Sequence, residues 1–172
     1  MPIAMRLLRL TPVEAVIEFA GPGEIRGRLT GPRCAYTTTI EVAYHVRDNR
    51  VIIPEPSWWD PESPFLYRGP VALWRGAKRL EQENAQIGLR HIVRTGDRII
   101  HNGRRLELNR RRIDAVDEVA LGRAREAGVT AVEVPAMLAE AVCDIADRIG
   151  LFVISDGPTA IDVLRHPSAI TS

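Results

Sequence analysis

Short apolar or β-branched segments, separated by glycine and proline turns, make up roughly the first ninety residues of the chain. The segment 37–46 alternates polar and apolar side chains, which is typical of a strand with one buried face. No helical period persists in this part of the chain. We therefore predict about seven short strands and a β-sandwich, with a barrel as the open alternative. Six of these strands are assigned to segments, namely 13–19, 25–29, 37–46, 51–53, 66–74 and 87–93.

The pattern changes after the last of these segments. Residues 95–97 and 101–103 have the composition of tight turns and flank a short apolar strand at 98–100, which predicts hairpins. Apolar residues then recur at helical spacing, so the sequence predicts two domains, one at 1–94 and the other at 95–172.

Two amphipathic helices and two short strands are predicted in the second domain. Gly128 and Gly150 lie where helix C-caps belong, directly after the helical pattern ends. A strand follows each helix, and this alternation is typical of a parallel sheet. The helices are expected at 114–127 and 136–149, and the strands at 131–134 and 151–154.

Composition excludes several classes of protein. The chain has 172 residues, a net charge of +1 and 45% apolar residues, which disfavours overall disorder. No apolar run approaches the ~20 residues of a membrane span, and residues 1–10 lack the apolar core of a signal peptide, so we expect a cytoplasmic chain. The two cysteines and four histidines have no metal-ligand spacing, so no metal and no cofactor is predicted.

Several short motifs follow one another along the chain in an order that indicates a family. The segment 59–67, WDPESPFLY, is followed by 88–90, GLR, and then by the pair Asn102-Gly103. In this order they resemble the immunoglobulin-like domain of glycoside hydrolase family 2 and its passage into the catalytic TIM barrel. That family contains β-galactosidases, β-glucuronidases and β-mannosidases. The segments 125–132, 146–154 and 166–170 resemble successive parts of the same barrel.

The resemblance implies a mixed all-β plus α/β fold, with an immunoglobulin-like β-sandwich followed by a partial (β/α) barrel of about three units. It also implies two catalytic glutamates on later barrel strands, because retaining glycosidases need two carboxyl groups about 5 to 5.5 Å apart. The chain ends at Ser172, before either position, and the segments 109–114 and 133–137 lack the sugar-contacting Asn, Arg and His of the family. We therefore expect a non-catalytic relative that acts as a binding or assembly module. The alternative is a fragment or split subunit of a glycoside hydrolase, or a chain that retains carbohydrate binding.

Two acidic residues are candidates for a catalytic pair. Glu133 and Asp156 are expected at the C-terminal ends of strands, where barrel enzymes place catalytic groups. The alternative is structural: Glu133 would pair with a nearby arginine, and Asp156 would belong to a turn or cap a helix.

A dense group of arginines is a candidate for anion binding through charge-assisted hydrogen bonds. No aromatic side chain is interleaved with them, which disfavours nucleic acid, and a solvated, salt-bridged surface is the alternative. The group consists of Arg104, Arg105, Arg110, Arg111 and Arg112.

Tryptophan side chains are candidates for stacking on sugar rings, namely Trp58, Trp59 and Trp74. Packing in a core is the alternative interpretation.

An unclosed parallel sheet has unpaired strand edges and an uncovered apolar face. We therefore predict a homo-oligomer or a protein partner that covers the open sheet edge, unless residues 157–172 of the chain itself cover it. A carbohydrate partner is also considered, and no membrane partner is expected.

Overall fold

The structure of the chain is a computed structural model that describes residues 3–96, 98–158 and 160–170. Within these ranges strands precede helices, as the sequence pattern predicts. In chain order the elements are β1 (Ala4–Leu10), β2 (Glu14–Ala20), β3 (Glu24–Cys34), β4 (Thr37–His45), β5 (Arg50–Pro54), β6 (Tyr67–Arg75), β7 (Lys78–Ile87), β8 (Ile92–Thr95), β9 (Arg98–His101), β10 (Arg104–Arg105), β11 (Arg110–Arg112), α1 (Glu118–Glu126), β12 (Ala131–Val134), α2 (Ala139–Ile149), β13 (Phe152–Ser155) and β14 (Ala169–Ile170).

The first of two compact units comprises residues 1–58 and 65–89. It contains two antiparallel sheets, with the strand orders β1-β2-β5 and β4-β3-β6-β7. Alternate residues are buried along the strands, for example Ile17 and Phe19 in β2 and Val71 in β6. A β-rich first half is therefore confirmed, and its assignment as an immunoglobulin-like sandwich stays a prediction.

Two strands of this unit do not correspond to the predicted segments. β1 has no predicted counterpart, and of β7 only Ile87 falls within one. Both strands lie at the edge of their sheets. Because an edge strand pairs on one side only, it needs fewer apolar residues, and in β7 only Ala85 and Ile87 are buried. The apolar pattern was therefore too weak to reveal it.

The second unit comprises residues 59–64 and 90–172, and it begins with an antiparallel sheet of β8, β9 and β10. Asn102 and Gly103 form the turn between β9 and β10, with φ angles of 48° and 80°. Both φ angles are positive, as expected for a tight hairpin turn of Asn-Gly type. The hairpin at 101–103 is thus confirmed, whereas Asp97 of the other predicted turn lies outside the described residues.

A parallel four-stranded sheet with the order β11-β12-β13-β14 forms the rest of the second unit. Helix α1 connects β11 to β12, and α2 connects β12 to β13. An α/β region after the β-rich half is therefore confirmed, and its assignment as barrel units stays a prediction. Strand β14 lies within the segment 157–172 and pairs with β13, so the chain itself covers that edge of β13.

The helix ends follow local chemistry. Asp117 caps α1, because its carboxylate accepts hydrogen bonds from the backbone N–H groups of Val119 and Ala120, and the helix is shorter than the predicted 114–127. Helix α2 ends at Gly150 as predicted, and this glycine has a φ of 77°. Among the described residues, no helix has both the length and the apolar character needed to span a membrane.

The two faces of the parallel sheet differ. Val132, Val134 and Val153 point towards the helices and share a core with Leu121, Val142 and other residues of α1 and α2. The opposite face, called here the inner face, carries an in-register row across the strands. The in-register row consists of Arg112, Glu133, Ile154 and Ile170, all of which are half-buried or exposed. The same face also carries exposed Arg110, in register with Ala131 and Phe152, which are fully buried.

Candidate functional site

The two candidate catalytic carboxylates are both held by arginines. Nη1 of Arg110 donates to Oε1 of Glu133 at 3.2 Å, and Nη2 of Arg112 donates to Oδ2 of Asp156 at 3.1 Å. Asp156 also accepts a hydrogen bond from the backbone N–H of Ala136, at the start of a 3₁₀ turn that leads into α2. The hydrogen bond that Arg112 donates to Asp156 raises the pKa of Arg112, with a smaller contribution from Asp114. Each carboxylate is therefore occupied in a structural contact.

The five candidate arginines do not form one cluster. Arg110 and Arg112 belong to the inner face of the parallel sheet, and Arg111 between them is exposed. Arg104 and Arg105 lie in β10, where they line a separate cavity of about 200 Å³. The structure therefore divides the predicted anion site into two places with different surroundings.

Trp58 lies in the first unit and lines an open hollow of about 330 Å³. The other side chains of this hollow are Pro12, Ala35, Tyr36, Glu55 and Pro56. Tyr36 is 91% exposed, and Glu55 has a positive φ of 44°, which is a strained conformation for a residue other than glycine. Two aromatic rings beside a carboxylate have the chemistry that a sugar ring requires, an apolar platform and a hydrogen-bond acceptor.

The other two tryptophans have different surroundings. Trp59 has no exposed surface, packs edge-on against His101 and Phe152, and donates through Nε1 to the backbone oxygen of Asp147 at 2.9 Å. Trp59 is thus a core residue rather than a sugar platform, because a ligand has no access to its ring. Trp74 carries the guanidinium group of Arg26 at 5.1 Å from its ring centroid, a cation–π contact that occupies one ring face.

A buried polar cluster that sequence reasoning did not single out lies beside α2. Asp147 has no exposed surface, and its Oδ2 lies 2.9 Å from Nδ1 of His166 while its Oδ1 accepts the backbone N–H of Ser168 at 2.9 Å. Burial alone would lower the pKa of His166. The hydrogen bond and charge of Asp147, with the charges of Asp144 and Glu140, outweigh burial and raise it above its usual value.

Arg90 is the second group that sequence reasoning did not single out as a site residue. Its Nη2 donates to the backbone oxygen of Ala169 in β14, and its Nη1 is buried without a hydrogen-bond partner among the described residues. Burial lowers the pKa of Arg90 to about 10, although the charge of Asp147 opposes this shift. The N–H of Ala169 in turn donates to the backbone oxygen of His166, so this part of β14 has its backbone groups satisfied within the unit. Only the contacts of the folded chain reveal this arrangement, because the partners are 79 residues apart in sequence.

Neither a reactive thiol at Cys143 nor a metal-binding site is supported among the described residues. Burial raises the pKa of the Cys143 thiol to about 12, so the thiol stays protonated at neutral pH. Within the described ranges, no group of three or more His, Cys, Asp or Glu side chains is arranged to hold a metal ion.

No protein-family model matches the sequence, and no curated protein matches it. Solved structures do match. A glycosyl hydrolase family 2 member from Bacteroides cellulosilyticus is 18% identical with a TM-score of 0.66, covering 96% of this chain and 29% of that one. The β-glucuronidase of Ruminococcus gnavus is 16% identical with a TM-score of 0.68, covering 96% and 36%. A β-D-glucuronidase of Dictyoglomus thermophilum is 16% identical with a TM-score of 0.64, covering 90% and 29%.

The chain thus spans about a third of the length of these structures or less. Similarity at this level of identity shows the fold and does not transfer an activity. The chain has the fold of part of the glycosyl hydrolase family 2 structures, and the resemblance predicted from its motifs is confirmed for the fold.

Proposed function

We propose that this chain is a non-catalytic relative of family 2 glycoside hydrolases that acts as an assembly module and associates with a second copy of itself. The observation that carries the proposal is the inner face of the parallel sheet. Parallel sheets are normally covered on both faces, yet Ile154 and Ile170 on this face remain partly exposed.

The chemistry of the inner face favours a second copy as the partner. It carries the cations Arg110 and Arg112 and the anion Glu133 beside the two isoleucines. A two-fold axis brings the same surface to both sides, so each copy can place its arginines near the glutamate of the other. The ion pairs of Glu133 and Asp156 support a non-catalytic role, because each carboxylate already accepts a hydrogen bond from an arginine of the same chain.

The mass of the protein in solution tests this proposal. We expect sedimentation to show a dimer over the micromolar range, and Ile154→Arg and Glu133→Arg to shift it to a monomer. Val119→Arg is the matched control, because Val119 is 62% exposed on α1, away from the inner face. A wild-type monomer, or equal effects of all three substitutions, would refute assembly through this face. Circular dichroism shows whether each variant is folded.

Carbohydrate binding is a second candidate function, and the hollow around Trp58 and Tyr36 favours it. A glycan array followed by calorimetry tests it with Trp58→Ala, which removes the platform. Trp74→Ala is the control, because Trp74 lies under Arg26 and does not line the hollow. Binding that Trp58→Ala abolishes and Trp74→Ala preserves supports this candidate, and the absence of binding to any glycan removes it.

The enzymatic alternative is a fragment or split subunit of a glycoside hydrolase, favoured by the similarity to structures described as β-glucuronidases. An aryl β-glucuronide is therefore the substrate to test with the purified chain. We expect no hydrolysis. Hydrolysis that Glu133→Gln or Asp156→Asn abolishes would overturn the non-catalytic proposal.

A further inference from the structure

A cavity of about 200 Å³ lies in the second unit at the N-terminal ends of the parallel strands. Thr130, directly before β12, and Phe152, the first residue of β13, contribute to its wall. Barrel enzymes place their active sites at the opposite, C-terminal ends of such strands. The cavity is therefore independent of the strand ends that carry Glu133 and Asp156.

Charged side chains make up half of the residues that line the cavity, and the carboxylates among them already have partners. Glu62 accepts a hydrogen bond from Nη2 of Arg125 at 3.1 Å, and the same nitrogen donates to the backbone oxygen of Pro61 at 3.0 Å. Asp60 accepts the backbone N–H of Glu62 at 3.0 Å, and its Oδ2 lies 3.6 Å from Nδ1 of His101. These contacts leave the acidic groups less available to a cation from outside.

Two guanidinium groups at the cavity have no ion-pair partner among the described residues. Arg104 and Arg105 are exposed, and neither has an ion pair or side-chain hydrogen bond to any part of the chain that the structure describes. Arg104 is in register with His101 across the hairpin, so both project from the same face of the β9–β10 pair. Arg105, the next residue of β10, also lines the cavity.

His101 supplies an independent observation that points to a ligand. Its side chain is 5% exposed, it lines the cavity, and its Nε2 is buried with no hydrogen-bond partner in the described ranges. Such a group costs free energy, because it has lost its water and gained no partner. Burial lowers the pKa of His101 to about 4, while the charge of Asp60 opposes this shift and that of Arg90 adds to it. Nδ1 faces the carboxylate of Asp60 and so carries the proton of the neutral imidazole, which leaves Nε2 able to accept a hydrogen bond from a ligand hydroxyl group.

We propose that Arg104 and Arg105 bind the phosphate group of a small hydroxylated phosphate monoester in this cavity, and that Nε2 of His101 accepts a hydrogen bond from one of its hydroxyl groups. Arginine matches a phosphate in geometry as well as in charge. The carboxylates of Asp60 and Glu62 lie in the same wall, where they can accept hydrogen bonds from hydroxyl groups that the phosphate carries. The cavity is too small for a strand of nucleic acid, whose phosphates also require a long basic groove.

Calorimetry and thermal unfolding with glycerol 3-phosphate test the proposal, with inorganic phosphate, glycerol and chloride as comparison solutes. We expect saturable binding of glycerol 3-phosphate at low salt, weaker binding of inorganic phosphate and none of glycerol. Added salt should weaken the binding, because the contact is between partly exposed charges.

Substitutions identify the place of binding. Arg104→Gln should weaken it about ten-fold, since one charge-assisted contact is lost, and Arg105→Gln should weaken it less. Arg111→Gln is the matched control, because Arg111 is an exposed arginine of β11, has no ion pair among the described residues and does not line the cavity. His101→Gln, with its folding checked by circular dichroism, should also weaken binding. An equal loss in Arg104→Gln and Arg111→Gln, or no saturable binding by the wild type, would overturn the proposal. Inorganic phosphate that binds as tightly as the ester would show that the site takes the free ion instead.

Discussion

Nδ1 of His166 lies 2.9 Å from Oδ2 of Asp147, a carboxylate with no exposed surface. The second oxygen of the same carboxylate accepts the N–H of Ser168, directly before β14. One side chain of α2 therefore holds the segment that supplies the last strand of the parallel sheet. Breaking such a buried contact leaves the remaining partner without compensation for its lost water.

Asp147→Asn should lower the free energy of unfolding by about 3 kcal/mol, because it removes the charge from a buried pair. Asp144→Asn is the control, since the side chain of Asp144 is 66% exposed and its Oδ1 lies 3.9 Å from the same imidazole. We expect the control to lose less than about 1 kcal/mol. Urea unfolding measures both values, and equal losses would show that the buried contact adds nothing.

The same pair predicts a loss of stability as the pH rises above 6.5. The pKa of His166 is higher in the folded chain than in the unfolded chain, where it is close to the ordinary 6.5. The folded state therefore binds the proton more tightly, and this contribution is fully present below pH 6.5 and is lost as the pH rises through the higher, folded value. Unfolding curves of wild type and His166→Gln across this range should converge as the pH rises. A constant difference between the two would contradict the raised pKa.

Local signals in the sequence predicted some elements well and long-range contacts poorly. The strand at 131–134 and the helix end at Gly150 were predicted at the positions where they occur, because each depends on neighbouring residues. Helix α1 begins later than predicted, at Glu118, because Asp117 satisfies the first backbone donors. The contact of Asp147 with His166 joins residues 19 apart, and no periodicity encodes it.

For the candidate site residues too, the sequence predicted local positions but not the partners that lie far away in the chain. The position of Glu133 at a strand end was evident from the apolar pattern, but its partner Arg110 comes from a neighbouring strand, 23 residues away. The role of Trp59 was open in the sequence, because a tryptophan in a turn-rich segment is equally suited to a surface platform and to a core. Its burial depends on Phe152 and His101, which only the folded chain brings beside it.

His101 predicts a pH effect of the opposite sign to that of His166. Its pKa is about 4 in the folded chain, below the ordinary 6.5, so the unfolded state binds the proton more tightly. Stability should therefore fall as the pH drops from 6.5 towards 4, by up to about 3 kcal/mol from this residue. His101→Phe keeps a ring against Trp59 and Phe152 and should remove most of this slope. If the acid slope of the variant equals that of the wild type, His101 is not its source.

Two glycines with similar backbone angles test how closely the end of α2 packs. Gly150 has a φ of 77°, and a Cβ atom there would lie 2.1 Å from the backbone oxygen of Pro61. Gly128 has a φ of 81°, and a Cβ atom there would meet nothing within 4 Å. Gly128→Ala should cost about 1 kcal/mol for the left-handed conformation alone. Gly150→Ala should cost about 2 kcal/mol more, because a rigid backbone atom must also move. Thermal or urea unfolding measures the difference in stability between the two variants. Equal costs for the two alanines would show that the backbone at Pro61 moves away without a measurable free-energy cost.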